Sequence, residues 1–351
     1  MSKLDESRIQ IYKYKANDFK FVVMKTDQGN SALDLLITQK WEEAQKNGVF
    51  KYVLNIRQQK RLDGNYGFLA QLNPERGEKR RKPEDISSMA QPFDPNLFNF
   101  TKIPNREILF DIGNGDGNDV VAANISPIEN CHSLLFTERF KCLPQKVTVY
   151  SLKRAVDLLL LSNSPYLRMM FNSLCAHASV NHLHWHLCYL KYHMPLECIK
   201  LSHLRGPVFV LLEFPAKGFC LKLSSFLNLN TDNLVSWTYF IVNYLQTSNI
   251  AHNIYITRAK TKAESDIYDD IRVYIWARKS SSGIKCTLDF IPAVCELFGH
   301  LSIKSEQGYE DLTEDAVAQI LDDITSHCFF AARDDILGMN LDEKGLTMDY
   351  C

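Results

Sequence analysis

Within Ser179-Val180-Asn181-His182-Leu183-His184-Trp185-His186-Leu187, polar and apolar residues alternate strictly from His182 to Leu187. In a β-strand, residues two apart lie on one face, about 6.6 Å apart along the chain. The alternation therefore predicts a strand with His182, His184 and His186 on one face. Leu183, Trp185 and Leu187 take the other and anchor it to a core. Three imidazoles in a row need a ligand, a metal or water, because buried polar groups without partners are costly. Residues alone leave three readings open. One is a chance cluster of edge histidines. A second is a zinc site, since His-x-His on a strand can supply two or three ligands. The third is chemistry at phosphorus, because a neutral imidazole is a competent nucleophile near pH 7.

Outward from this strand, the chain reads as a mixture of short strands and helices. A helix is predicted from Ser31, its cap, to Asn47-Gly48, with Leu33, Leu36, Ile37, Trp41 and Ala44 on one face. Strands are predicted at 66–72, 106–112, 120–125 and 133–138, with a turn at Gly113-Asn114-Gly115-Asp116-Gly117. That turn contains G-x-G but opens no helix, so a dinucleotide-binding reading is rejected. Residues 73–86 read as a loop, and its basic run Lys79-Arg80-Arg81-Lys82 as a solvated stretch rather than an import signal, given Glu78, Glu84 and Asp85. A second helix starts near Ser151. Beyond the histidines come strands at 208–214, 254–257 and 271–276 and helices at 231–245 and 313–324. Strands and helices do not alternate regularly, which favours α+β over a doubly wound parallel sheet.

Composition sets the outer limits. Of 351 residues, 46% are apolar and 23% charged, which fits a globular protein of about two domains. Forty basic residues against 41 acidic leave a net charge of -1, which excludes a broadly basic nucleic-acid binder. No apolar run is long enough for a membrane helix, and the polar start Met1 to Gln10 is not a secretory signal. Ten cysteines without a C-x-x-C pair read as reduced thiols, which predicts a cytoplasmic protein. The expected organisation is a peripheral segment 1–30, a catalytic domain 31–205 and a C-terminal α+β domain 206–351.

His182-Leu-His184-Trp-His186-Leu resembles the histidine-triad pattern. Ser126-Pro127, followed by His132-Ser-Leu-Leu135, resembles the earlier strand of that superfamily. The segments Pro92 to Lys102, Val121 to Ile128, Cys142-Leu143-Pro144-Gln145, Asn172 to Leu174, Arg272 to Trp276 and Cys295 to His300 are similar to the GDP-hexose phosphorylases. The similarity extends over about residues 40 to 325, and His186 matches the animal branch, which acts on GDP-D-glucose. Cys131 and Cys175 depart from the pattern, standing where this family is expected to have Gly.

The resemblance implies a histidine-triad antiparallel sheet with helices and a second, related half. It implies a guanylyltransferase that converts GDP-glucose and inorganic phosphate to GDP and glucose 1-phosphate. His184 would be the nucleophile, forming a guanylyl-imidazole intermediate, with His182 and His186 positioning phosphate. His132, Asn99, Lys102, Ser179, Asn181 and Arg272 are the implied substrate contacts. His300 stands open between site and structure. No metal or cofactor is implied, since hydrogen bonds alone can stabilise in-line displacement. Neither nucleic acid nor membrane is an implied partner. A histidine-triad hydrolase using water and a non-enzymatic nucleotide-binding module are the alternatives.

Overall fold

The structure is a computed structural model describing residues 9–27, 29–81, 83–282 and 289–340. Ten strands form one antiparallel sheet. In chain order they are β1 (Ile108–Asp111), β2 (Val120–Ala123), β3 (Ser133–Phe136), β4 (Leu167–Asn172), β5 (Trp185–Tyr189), β6 (Ser202–Arg205), β7 (Val208–Leu211), β8 (Gly218–Lys222), β9 (His252–Ala259) and β10 (Asp270–Ala277). Across the sheet the order is β1-β2-β3-β5-β4-β9-β10-β8-β7-β6. The first half thus runs β1-β2-β3-β5-β4, and the second, read from its own outer edge, runs β6-β7-β8-β10-β9. Helix α3 (Val149–Leu161) lies between β3 and β4, and α4 (Thr231–Thr247) holds the same place between β8 and β9. The expected second half is therefore a topological repeat of the first, joined to it along β4 and β9. This repeat puts the seam in the connection 190–201. The expected cut between 205 and 206 instead falls in the turn of the hairpin β6–β7.

Alternation along the central strands separates two cores. Ile254 and Ile256 of β9, with Ile271, Val273 and Ile275 of β10, share the core under α3, α4 and α1 (Ala32–Lys46). Tyr255, Tyr274 and Trp276 face a second core with Phe68, Leu69 and Phe298. A small sheet covers that second face. In it Leu69–Leu72 pairs antiparallel with Gln58–Arg61 and parallel with His300–Ile303, so chain from before and after the seam is bound together.

Helix α1 forms as its sequence predicts. The Ser31 hydroxyl accepts from the Asp34 amide at 3.2 Å, and Asp34 accepts in return from the Ser31 amide at 3.3 Å. Asp34 also accepts from the hydroxyls of Ser162 and Tyr189, both at 2.6 Å, which joins the cap to the ends of α3 and β5. The helix beginning at Thr313 runs much further than expected, over Glu314–Gly338. Its first turns pack Val317 and Leu321 into the second core, and its last turns pack Phe329, Ala332 and Ile336 into the first. The stretch 73–86 is not all loop. Asn73 caps a short helix α2 (Pro74–Lys79) with Pro at its first position, where a missing amide costs nothing.

Candidate active site

The histidines are held by three different devices. Only His186 lies within β5; His182 and His184 precede it in extended chain. Segment 142–145 keeps that chain straight. The Leu183 amide donates to the Leu143 carbonyl at 2.9 Å, and the His184 amide donates to Gln145 Oε1 at 2.8 Å. Gln145 Nε2 donates to the His184 carbonyl at 3.1 Å and to the Asn172 carbonyl at 2.9 Å. Leu183, Trp185 and Leu187 are buried in the first core, as the alternation predicts. His184 and His186 emerge on the opposite face, with ring centroids 5.1 Å apart.

His182 turns away from them. Its Nδ1 accepts from the Phe100 amide at 3.0 Å, and its Nε2 lies 3.0 Å from the Arg139 carbonyl. An amide can only donate and a carbonyl can only accept, so Nε2 carries the proton and both nitrogens are committed. Phe93 packs edge-on at 5.2 Å. His182 therefore has no nitrogen left for phosphate, and the three imidazoles do not converge on one point as a three-histidine zinc site requires. The expectation that all three share one ligand-facing row is corrected to two, because the chain bends into the strand only at Trp185.

His184 Nδ1 lies 2.7 Å from the His182 carbonyl oxygen. By the same reasoning Nδ1 carries the proton and Nε2 keeps its lone pair. Burial pushes the His184 imidazole down to about 4, against a small upward pull from that carbonyl. The ring is therefore neutral at physiological pH. The Trp41 indole donates to the His132 carbonyl at 3.2 Å, so α1 locates β3 and the imidazole before it. His132 Nδ1 accepts from the Ile128 amide at 3.1 Å, which places its proton on Nε2. That Nε2 lies 3.1 Å from His186 Nδ1, with the Asn124 carboxamide also 3.1 Å away. The Asn124 contact is through Nδ2, which can only donate and so competes with His186 at His132 Nε2; where the His132 N–H is given to His186, His186 Nδ1 accepts and its own N–H is at Nε2. Burial holds both rings far below the ordinary histidine range.

These groups line a cavity of about 510 Å³. Phe100, Ile103, Leu134, Phe136 and Val180 line it on the apolar side, and the buried His132 and His184, with His186, also line it. Arg76, Arg80, Arg81 and Lys304 line the cavity as well. Positive charge on Arg76 contributes to depressing His132 and His186, and that on Arg81 contributes at His184, so these cations act on the imidazoles. Arg80 and Arg81 of the basic run thus face a cavity, whereas Lys79 is exposed. The run's acidic neighbours masked that role, and nothing in the local spacing signals it. Lys82 lies outside the described residues.

The remaining expected contacts divide clearly. Ser179 lines the cavity. Asn181 lies behind it, donating to the Gln91 and Pro92 carbonyls at 3.1 and 2.8 Å and accepting from the Gln145 amide at 3.0 Å. Asn99 is buried and caps the turn Phe100–Lys102, which aims the Phe100 amide at His182. Lys102 and Arg272 are not brought to the cavity. The Lys102 ammonium donates to the carbonyls of Pro95 and Leu97 at 2.7 and 2.6 Å, closing its own loop. Arg272 is buried in β10 and donates to the Leu196 and Ile199 carbonyls at 3.1 and 2.8 Å. His300 is structural: its Nε2 meets Gln71 Oε1 at 2.6 Å, and Gln71 donates to the buried Glu129 at 3.1 Å. Cys131 and Cys175 both hold a left-handed backbone, with φ of 55° and 58°, and Cys175 lines the cavity.

Comparison with known proteins covers most of the chain. Residues 32–188 match the family described as GDPGP1-like, N-terminal domain, and residues 192–336 match the GDPGP1-like, C-terminal domain. GDP-D-glucose phosphorylase 1 of Danio rerio is 37% identical over 321 residues, covering 89% of this chain and 92% of the relative. The Homo sapiens protein of that name is 39% identical, covering 84% and 79%. GDP-L-galactose phosphorylase 2 of Arabidopsis thaliana is 30% identical, covering 92% and 79%. Among solved structures, yeast Ap4A phosphorylase Apa2 in complex with Ap4A superposes with a TM-score of 0.62 at 17% identity, covering 85% of this chain and 98% of that one, which shows a shared fold. With two family matches in sequence order and relatives above 30% identity over most of both chains, the protein belongs to the GDPGP1-like family.

Proposed function

We propose that this protein is a GDP-D-glucose phosphorylase, converting GDP-glucose and inorganic phosphate to GDP and glucose 1-phosphate. The observation that carries the reading is the His184 tautomer. Nδ1 is tied to the His182 carbonyl, so the Nε2 lone pair is available in a cavity that also holds a second imidazole N–H and several cations. The naming of relatives from fish to human as GDP-D-glucose phosphorylase 1 supports the choice of substrate.

In the first step Nε2 of His184 attacks the α-phosphorus. The bond from that phosphorus to the bridging oxygen breaks, and glucose 1-phosphate leaves with the electron pair. As the ring becomes positive, the Nδ1–H bond to the His182 carbonyl strengthens. His186 donates from Nε2 to the oxygen that departs, with its tautomer held by His132. In the second step a phosphate oxygen attacks the same phosphorus, the N–P bond breaks, and GDP is released. Arg76, Arg80, Arg81 and Lys304 supply the positive field that brings phosphate to the site. Ser179 contacts substrate from the rim. His182, Asn99 and Asn181 position rather than touch it, while Lys102 and Arg272 stabilise loops.

The activity would clear GDP-glucose formed in error, before glucose replaces mannose in glycans. Eight free cysteines among the described residues support a reducing, cytosolic setting. Among those residues no helix is long and apolar enough to cross a membrane. A product assay tests the reading. GDP-glucose with phosphate yields GDP and glucose 1-phosphate; dominance of GMP at millimolar phosphate would instead establish a hydrolase.

A further inference from the structure

The connection between the two halves holds a cluster that guanylyl transfer does not use. The turn Pro195–Glu197 ends at Cys198, whose Sγ lies 3.9 Å from Nε2 of His193. The other ring nitrogen, Nδ1, lies 2.6 Å from Glu197 Oε2. Glu197 is fully buried and cannot swing away. The Arg168 guanidinium binds its other oxygen, and the Tyr268 hydroxyl donates to Oε2 from 3.0 Å. Arg272 holds the turn from both sides through the carbonyls of Leu196 and Ile199. A fixed carboxylate, an imidazole and a half-exposed thiol therefore stand in line, which is the arrangement that activates a nucleophilic sulfur.

Charge reinforces the geometry. Contact with Cys198 and with Glu197 pushes the His193 imidazole up to about 9. At neutral pH both ring nitrogens then carry hydrogen, and the one on Nε2 faces the sulfur. Cysteines beside a cationic histidine and open to solvent are the reactive ones, whereas buried cysteines are inert. Cys131, Cys175, Cys188, Cys220 and Cys295 are buried. Cys142 and Cys328 are half exposed like Cys198, but among the described contacts neither has a histidine at hydrogen-bonding distance.

We propose that Cys198 is a modification site, activated by His193, that takes small disulfides such as glutathione disulfide and small alkylating electrophiles. With a disulfide, the Cys198 thiolate attacks one sulfur. A new S–S bond forms, the old one breaks, and the second half leaves as a thiolate that takes up the proton Cys198 gave to solvent. The reagent disulfide is the oxidant and nothing else is consumed. Neither Cys198 nor His193 lines the catalytic cavity, so this chemistry is separate from guanylyl transfer.

The test is site-resolved labelling of the full chain with limiting iodoacetamide at neutral pH, followed by glutathione disulfide, read by peptide mass spectrometry. Cys198 is expected to react at least about tenfold faster than Cys142 and Cys328. His193→Gln should bring its rate down to theirs without changing theirs. Labelling of the buried Cys188 reports any unfolding of the variant, and the wild-type ranking of Cys198 over Cys142 decides in that case. Equal rates at Cys198 and Cys142 in the wild-type protein overturn the proposal, as does an unchanged Cys198 rate in folded His193→Gln.

Discussion

The Nδ1 atom of His184 lies 2.7 Å from the carbonyl oxygen of His182, two residues earlier in the same chain. This contact fixes the tautomer of the nucleophile through main chain, not through a carboxylate that could itself titrate. Removing the imidazole removes the covalent route. His184→Ala should lower kcat by at least about 10³-fold while leaving the fold intact. Steady-state rates and thermal melting of the variant check both halves of that statement.

His182 should behave in the opposite way. Both its nitrogens bind backbone groups, and its ring packs on Phe93 and Phe100. His182→Ala leaves the Phe100 amide without a partner and removes one of the two donors to the Arg139 carbonyl, which keeps the Cys142 amide, at a cost of about 1–3 kcal/mol. A lowered Tm from this substitution, with a much smaller change from His186→Ala, is the expected pattern in a melting series.

Acid should destabilise the protein through the same rings. Burial lowers His182 and His184 to about 4 and places His132 and His186 well below the ordinary range. In the unfolded chain these groups take up protons near pH 6.5. Their contribution to stability is complete above that pH and is lost as pH falls from about 6.5 towards 4, because the unfolded state binds more protons there. Denaturant melts between pH 7 and 4.5 should show the fall. Single-turnover guanylylation without phosphate should stay flat from pH 8 to about 5.5, because His184 is already neutral.

Arg76 belongs to the anion-binding side of the cavity in this account. Arg76→Gln should raise the half-saturating phosphate concentration by about tenfold or more, and added salt should weaken phosphate binding less in the variant than in the parent. Initial rates across phosphate and ionic strength separate this from a folding defect.

At Cys175 the left-handed backbone is a strain that glycine does not share. Cys175→Gly and Cys175→Ala remove nearly the same side-chain atoms. The glycine variant should be the more stable by about 1 kcal/mol. Paired denaturant titrations provide the comparison.

The parts legible in the sequence were those set by local periodicity. Alternation at 182–187 places Leu183, Trp185 and Leu187 in the core, and the Ser31 cap with its apolar stripe predicts α1 almost to the residue. Alternation could not show where pairing starts. Residues 182–184 are held by Gln145 and Leu143 rather than by a neighbouring strand, so His182 was free to turn aside. Arg272 and Lys102 carry the charge that phosphate binding needs, but their guanidinium and ammonium groups are spent on main-chain carbonyls. Arg76, Arg80 and Arg81 reach the cavity only because parallel pairing of Leu69–Leu72 with His300–Ile303 carries the chain there. A contact spanning more than two hundred residues leaves no local trace.

The most direct test of the central claim is a pulse and chase on the intact enzyme. GDP-glucose labelled in its guanosine is added without phosphate, and the protein is then split into a base-quenched sample and one chased with phosphate. The account predicts acid-labile, base-stable label on the peptide bearing His184, in an amount approaching one per chain, and its conversion to GDP on the chase. Absence of protein-bound label, label retained in His184→Ala, or a chase that yields GMP in place of GDP would contradict it.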